Sequence, residues 1–170
     1  KISHHEIEIN GRSRHVYTGK KIINTSDNKE LLIGFSVDIT QNIQASRAIE
    51  DQKKFYQQIF NTVPNYIYVK DKHGKFILVN EAVSELFNLS LEQILMDGII
   101  NPSEIKIDVE LNKEIDKKVL KTGKSFEFEE SVVLKNGEER WYHTTKKPLP
   151  DKEGIVNVLG ISVDITERKK

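Results

Sequence analysis

The amino-acid sequence predicts an α+β protein in which a five-stranded antiparallel sheet carries helices on one face. A long linker helix and a separate three-stranded segment are expected before that domain. Three observations predict this architecture: a segment that occurs twice, a stretch without glycine or proline between the copies, and a β-β-α-α-α-β-β-β order in the second part of the chain. Strands grouped on either side of several helices are typical of an antiparallel sheet covered on one face.

The repeated segment sets the domain organisation. Residues 10–40 align with residues 136–166 without a gap, at an offset of 126, and 12 of the 31 paired positions are identical. The match ends in five consecutive identities, which chance does not readily produce, and internal repeats indicate duplicated structural units. We therefore assign residues 1–40 to the three C-terminal strands of a preceding domain. Residues 41–63 are assigned to a linker helix and residues 64–170 to a complete domain.

Each copy of the repeat predicts a β-hairpin followed by a further strand. An Asn-Gly pair between β-rich runs indicates a tight hairpin turn, since both residues tolerate positive φ. In the complete copy we expect strands at 125–134, 141–147 and 155–165, with a turn at 148–154. Because side chains alternate along a strand, the last strand is expected to face the core with Ile155, Leu159, Ile161, Val163 and Ile165.

The first half of the complete domain predicts another hairpin and then helices. Strands are expected at 66–70 and 75–79, around an Asp-Lys-His-Gly turn. Asn80 is a suitable N-cap for the first helix, and Ser90 with Gln93 forms a capping box for the second. The helical segments are expected at 80–87, 90–97, 102–105 and 108–121, the last ending at Gly123.

The stretch between the two copies predicts one long helix. Residues 41–62 contain neither glycine nor proline, and Pro64 ends the helix. Small and apolar residues recur at alternating spacings of three and four, which is the seam of a short coiled coil. We favour a parallel dimer through this helix over packing within one chain. The predicted seam consists of Ala45, Ala48, Gln52, Phe55 and Ile59.

Composition narrows the functional classes. The 26 basic residues balance the 26 acidic ones, so the chain has no electrostatic footprint for nucleic acid or an anionic membrane. The absence of cysteine excludes disulfides, thiolate catalysis and cysteine zinc sites. No glycine-rich phosphate loop or helical histidine pair is present. We expect a non-catalytic, cytoplasmic fragment without membrane contact.

Two stretches resemble the PAS fold with its C-terminal PAC segment: YIYVKDKHGKFILVN at 66–80 and NGEERWYHTTKKPLPDKEGIVNVLGISVDIT at 136–166. Residues 1–40 then resemble a truncated PAC segment. The resemblance implies a domain that senses a ligand or partner, dimerises, and passes a change to a neighbouring output domain through a helix. It also implies a signal-coupling junction between the last strand and that helix, at Asp38, Ile39, Thr40, Asp164, Ile165 and Thr166.

A small-molecule cavity would lie between the sheet and the helices. A filled core would need the same residues, so both interpretations stay open. Haem is disfavoured because helix 108–121, which carries the iron ligand in haem-binding PAS domains, has no histidine. A cysteinyl-flavin is excluded because the chain has no cysteine. We therefore expect no cofactor. Glu130 shares a face with apolar residues, so it is either buried with a partner or exposed at a bulge. Candidate lining residues are Tyr66, Tyr68, Phe76, Leu78, Leu86, Ile94, Ile115, Phe128, Trp141, His143, Leu159 and Ile161.

The resemblance leaves several functions open. The leading hypothesis is a sensory and dimerisation module of a multi-domain signalling protein, with a sensor histidine kinase of a two-component system as its output. One alternative is a receptor that holds haem, a flavin or a metabolite, and another is a module that regulates a diguanylate cyclase or a transcription activator. The orphan strands of residues 1–40 are expected to be covered by another chain or by the second domain, since such a sheet alone is marginal.

Overall fold

The computed structural model of the protein describes residues 2–97 and 105–170. The chain divides into two compact units, Lys1–Tyr56 and Gln57–Lys170, and the division falls within the linker helix. Most of the predicted turn at 102–105 lies outside the described residues.

The first unit is a three-stranded antiparallel sheet followed by a helix. Its elements are β1 (Ile2–Ile9), β2 (Arg12–Asn24), β3 (Glu30–Asp38) and most of α1 (Thr40–Thr62), with strand order β1-β2-β3. Asn10 and Gly11 have φ angles of 52° and 72°, as the tight turn predicted from their sequence requires. All of β3 is exposed, and the expectation that another chain or the second domain covers this sheet stays a prediction.

The second unit is a five-stranded antiparallel sheet with strand order β5-β4-β8-β7-β6. The predicted α+β fold class is confirmed. Its elements are β4 (Tyr66–Lys70), β5 (Phe76–Val79), α2 (Glu81–Phe87), α3 (Leu91–Asp97), α4 (Val109–Thr122), β6 (Phe126–Val133), β7 (Glu139–Pro150), β8 (Val156–Asp164) and α5 (Thr166–Lys169).

The helix ends follow local sequence signals. Asn80 caps α2 by accepting a hydrogen bond from Val83 N. In the capping box before α3, Gln93 N donates to Ser90 Oγ at 3.1 Å and Ser90 N donates to Gln93 Oε1 at 2.9 Å. Gly123 ends α4 with a φ of 64°, a left-handed conformation that costs glycine little. These predictions from the sequence are confirmed.

Two expectations about β7 and β8 are wrong. Strand β7 continues to Pro150 rather than ending before Pro148. Residues 147–150 extend beyond the start of β6 and, within the part of the chain that the structure describes, have no strand on that side. A proline there loses no inter-strand hydrogen bond, since its missing N–H would face an open edge. Along β8, Val158 and Ser162 lie on the inner face, where Val158 packs against α4 and Ser162 lines a cavity. Both faces of β8 carry apolar residues, so alternation alone did not identify the inner one.

Candidate functional site

The second unit encloses a cavity of about 350 Å³ between the inner face of its sheet and helices α2 and α4. Gly160 on β8 helps to shape it, because a Cβ atom there would lie 2.1 Å from the ζ carbon of Tyr68. The Tyr68 ring therefore lies directly over the bare backbone of β8. The apolar part of the wall includes Phe76, Val83, Leu86, Phe87, Ile107, Leu120 and Val132.

The structure places four of the twelve candidate residues in the wall of this cavity, namely Tyr66, Tyr68, Phe76 and Leu86. Three others belong to the packed core outside it. Ile94 packs with the cluster around Tyr68, while Ile115 and Phe128 pack with the cluster around Val119 and Val158. These three fill the core rather than line the cavity.

The remaining five candidates lie on the outer face of the sheet, which corrects the prediction. A register shift between β4 and β5 pairs Val69 with Leu78 and Lys70 with Phe76, so the bulge turns Leu78 outward although alternation placed it beside Phe76. On β7 and β8 the inner positions are those of Tyr142, Thr144 and Ser162. The intervening residues are therefore turned away from the cavity: Trp141, His143, Leu159 and Ile161.

A buried carboxylate on α4 connects two lysines of the sheet. Asp116 accepts a hydrogen bond from Lys146 Nζ at 2.6 Å and another from Lys70 Nζ at 3.1 Å. The side chain of Lys146 is 0% exposed, and its ammonium also donates to the carbonyl oxygen of Asn112 at 2.9 Å. Burial lowers the pKa of Lys146, and the charge of Asp116 opposes that shift.

Glu130 on β6 is the second buried acid. It is 7% exposed, and it accepts hydrogen bonds from Asn112 Nδ2 and Thr144 Oγ1, each at 2.7 Å. Thr144 Oγ1 also lies 2.9 Å from Ser162 Oγ. Of the two alternatives for Glu130, the structure has the buried residue with partners, and each of its oxygens accepts one hydrogen bond.

Three tyrosines add hydroxyl groups beside these charges. The hydroxyl groups of Tyr66 and Tyr142 are 3.0 Å apart. Burial raises the pKa of Tyr68, and the negative charges of Asp116 and Glu130 raise it further. Burial also raises the pKa of Tyr142, together with its hydrogen bond to Tyr66. The phenols of Tyr68 and Tyr142 therefore stay neutral near pH 7 and can donate hydrogen bonds.

The sequence analysis missed most of the polar residues of this site. A lysine or an aspartate on a strand or helix is usually at the surface, and no local pattern distinguishes Lys70 or Asp116 from such residues. One signal was present, however. Three of the identities in the repeat fall on the buried positions Thr144, Lys146 and Ser162, which are paired with residues of the same type in the first copy.

The strand–helix junction of the second unit is held by three hydrogen bonds. Thr166 N donates to Asp164 Oδ1 at 2.8 Å, and Thr166 Oγ1 accepts from Trp141 N at 2.9 Å. The third bond joins Ile165 N to the carbonyl oxygen of Trp141 at 2.7 Å. The first residues of α5 are thereby attached to β7, the strand that also carries Lys146.

The first unit has the same junction. Thr40 N donates to Asp38 Oδ1 at 2.9 Å, and Thr40 Oγ1 accepts from His15 N at 2.9 Å. Ile39 N donates to the carbonyl oxygen of His15 at 2.8 Å. The two threonines thus connect equivalent strands to α1 and to α5 by the same set of bonds.

Within the second unit, the last residues of α1 are held by Asn80, which is 0% exposed. Its side-chain amide nitrogen lies 3.3 Å from the carbonyl oxygens of Phe60 and Val63 and 2.8 Å from that of Asn65. Its side-chain oxygen accepts from Ile67 N at 3.1 Å. One buried side chain therefore holds the end of α1, the start of β4 and the start of α2 together.

The chemistry of the described residues gives no metal centre. Within residues 2–97 and 105–170, no three histidine, aspartate or glutamate side chains are grouped so that they could hold an ion. His73 is exposed at the rim of the cavity. In the same part of the chain, no helix has both the length and the apolar character that a membrane span requires.

A family model described as the PAS fold matches residues 60–170. The virulence sensor protein BvgS of Bordetella bronchiseptica is 32% identical over 135 residues, which cover 76% of this chain and 11% of that protein. The methanogenesis regulatory histidine kinase FilI of Methanothrix harundinacea is 29% identical over 121 residues, covering 69% of this chain and 13% of that protein. The chain therefore spans little more than a tenth of these relatives.

A solved structure gives the same relationship. The PAS domain of Bordetella pertussis BvgS superimposes with a TM-score of 0.53 and 28% sequence identity, covering 73% of this chain and 92% of that domain.

Proposed function

The chain belongs to the PAS fold family, and from that premise we propose that it is a non-catalytic sensory and dimerisation module. Its likeness to PAS-containing sensor kinases supports a role in sensory signal transduction. In our proposal, the complete domain passes a conformational change to a downstream output domain, a histidine kinase, through the helices that begin at Thr40 and Thr166. We propose a cytoplasmic location for the module, on the same side of the membrane as the kinase domain.

The repeated strand–helix junction is the observation that carries this proposal. In each unit, two hydrogen bonds of the threonine, Thr40 or Thr166, and one of the isoleucine before it connect the start of the helix to the strands. A side chain that only capped a helix would need just one of these bonds. Here the threonine also binds the backbone of a strand, so a shift of β7 is transmitted directly to the start of α5. Loss of the threonine hydroxyl group should therefore alter signalling more than folding.

The dimer is supported by the exposure of the linker helix. The only buried residue of α1 is Thr40, and the large apolar residues of the predicted seam, Phe55 and Ile59, are 58% and 47% exposed. Exposed apolar side chains at coiled-coil spacing favour a second helix as their partner. A monomer in sedimentation at high protein concentration would contradict this part of the proposal.

The junction is tested in a fusion of the full chain to the dimerisation and kinase domains of a sensor histidine kinase. We expect Thr166→Ala to change the rate of autophosphorylation by about fivefold or more, as the loss of roughly 1 kcal/mol at the junction implies. Thr166→Ser keeps the hydroxyl group and should retain the original rate. Thr122→Ala, at the exposed end of α4, is the matched control. An unchanged rate in Thr166→Ala would contradict the proposal.

The cavity favours a second candidate, a ligand-binding receptor, which is compatible with the first. A volume of about 350 Å³ falls within the range of small-molecule sites, about 300–1,000 Å³. A diguanylate cyclase or a transcription activator as the output remains an alternative to the kinase.

A further inference from the structure

The geometry points to a small monocarboxylate with an apolar body as the ligand of the cavity, with the ammonium group of Lys70 binding its carboxylate. This inference rests on the proposed sensory function and extends it by naming the class of ligand.

Lys70 has hydrogen-bond donors that the described residues of the site do not use. An ammonium group has three donors, and among the described residues the only hydrogen bond of Lys70 Nζ is to Asp116 Oδ2 at 3.1 Å. It lies 5.3 Å and 4.9 Å from the ring centroids of Tyr68 and Phe76, two residues of the cavity wall. Two of its donors are therefore left for an acceptor within the cavity.

The two buried acids, Glu130 and Asp116, already have hydrogen-bond donors as partners. Both oxygens of Glu130 are occupied by Asn112 and Thr144, and the two oxygens of Asp116 are shared between Lys146 and Lys70. Each of these four oxygens already accepts a hydrogen bond, so the larger unused capacity in the site is that of the Lys70 donors. An anionic ligand needs only the donors that Lys70 still has.

The ionisable residues around the cavity carry a small excess of positive charge, which also favours an anion. Four lysines and three carboxylate residues line it. Lys146, behind Asp116, and Glu110, which pairs with Lys113 at 3.1 Å, raise the totals to five cations and four anions. The inner charges, Lys70, Lys146, Asp116 and Glu130, balance, so the excess comes from exposed lysines such as Lys72 and Lys117. It favours the approach of an anion to the cavity.

The rest of the wall determines the body of the ligand. Beyond the lysine, the cavity is bounded largely by apolar side chains on α2, α4 and the sheet, among them Val83, Leu86 and Leu120. The neutral phenol of Tyr68, on the strand that also carries Lys70, is a further wall residue. A carboxylate attached to an aromatic ring or a branched alkyl group matches this division, because its apolar part would lie against these side chains.

Binding at Lys70 would also connect the ligand to the sheet. Bound by the two remaining donors, the carboxylate would share the positive charge of Lys70 with Asp116, and this weakens the electrostatic attraction between β4 and α4. Asp116 keeps Lys146 as its partner, on the strand whose Trp141 contacts the junction at Thr166.

The test uses the full 170-residue chain and matched pairs of charged and neutral compounds. Thermal unfolding is followed with phenylacetate against phenylacetamide, and with 4-methylpentanoate against 4-methylpentanamide. We expect at least one carboxylate to raise Tm in a saturable manner, with an affinity about tenfold or more above that of its amide, as the loss of a charged hydrogen bond implies.

Variants identify the lysine. Lys70→Met should reduce the affinity for the carboxylate by about tenfold or more and should still fold, because Asp116 retains Lys146. Lys70→Arg should keep the preference for the carboxylate, and Lys75→Met, in the exposed turn before β5, should behave as the original protein.

Three results would overturn the inference: no carboxylate binds, amides bind as tightly as carboxylates, or Lys70→Met retains the affinity. None of these results alters the kinase test of the junction, so a failure here is distinguishable from a failure of the proposed relay.

Discussion

Replacing Asp116 with asparagine removes the carboxylate that neutralises a fully buried ammonium group. The side chain of Lys146 is 0% exposed and its Nζ lies 2.6 Å from Asp116 Oδ1. In Asp116→Asn, the remaining hydrogen bond of this ammonium is to the carbonyl oxygen of Asn112, which carries no compensating charge. Lys70, the other partner of Asp116, has a side chain that is 14% exposed and can reach water more easily.

The size of the effect follows from this asymmetry. Leaving one buried charge without its partner costs about 3–5 kcal/mol. Lys146→Met removes the buried ammonium instead and leaves Asp116 paired with Lys70, so we expect a smaller cost of about 1 kcal/mol for the lost hydrogen bonds. The double variant should therefore be more stable than Asp116→Asn alone.

Urea unfolding of the second unit measures these differences, because Trp141 is the single tryptophan of the chain. With a slope of about 1–3 kcal/mol per molar urea, Asp116→Asn should lower the midpoint by about 1 M or more. Burial lowers the pKa of Lys146 below its value in the unfolded chain. Between the folded and the unfolded pKa of Lys146, the unfolded state therefore binds more protons than the folded state. The free energy of unfolding rises with pH across this window, up to about pH 10.

In Asp116→Asn the rise of stability with pH should begin at a lower pH and be larger in total, because the lost carboxylate no longer opposes the lowering of the Lys146 pKa. The reasoning is refuted if Asp116→Asn costs less than about 1 kcal/mol, or if Lys146→Met costs as much as Asp116→Asn.

Two further predictions concern Tyr68. Gly160→Ala places a Cβ atom 2.1 Å from the ring of Tyr68, so we expect it to cost about 1–3 kcal/mol in the urea assay; the same change in Tyr68→Leu should cost less, and an equal cost would contradict the predicted clash. Because burial raises the pKa of Tyr68 and Tyr142, their protons should stabilise the folded state up to about pH 10, and this stability should be lost as the pH rises further. Phenolate absorbance should show two of the five tyrosines un-ionised until unfolding, and ionisation of all five in the folded protein would contradict this.

The features that the sequence predicted well depend on neighbouring residues. The capping residues Asn80, Ser90, Gln93 and Gly123 form the bonds or the backbone angle expected of them. A cap satisfies amide groups one turn away, so the necessary partners are present in a few adjacent residues. The hairpin turn at Asn10 and Gly11 is of the same kind. The fold class followed from the order of such elements.

The lining of the candidate cavity was predicted less well. The alternation of side chains along one strand does not show how that strand pairs with its neighbours. Leu78 was placed on the inner face because it is two residues from Phe76, but a register shift between β4 and β5 reverses it. Leu159 and Ile161 were placed inside because they are apolar. The structure instead puts Ser162 and Gly160 there, since Ser162 is needed beside Thr144 and Gly160 makes room for Tyr68.

The sequence by itself determined the repeated segment, the order of strands and helices, and the ends of the helices, because each rests on short-range geometry that neighbouring residues specify. Only the tertiary structure decided which polar residues are buried. Lys146 and Asp116 are 30 positions apart, and each alone resembles a surface residue. They form a buried pair because α4 crosses the sheet at β7. That contact removes both side chains from water, and each then needs the opposite charge of the other to remain ionised.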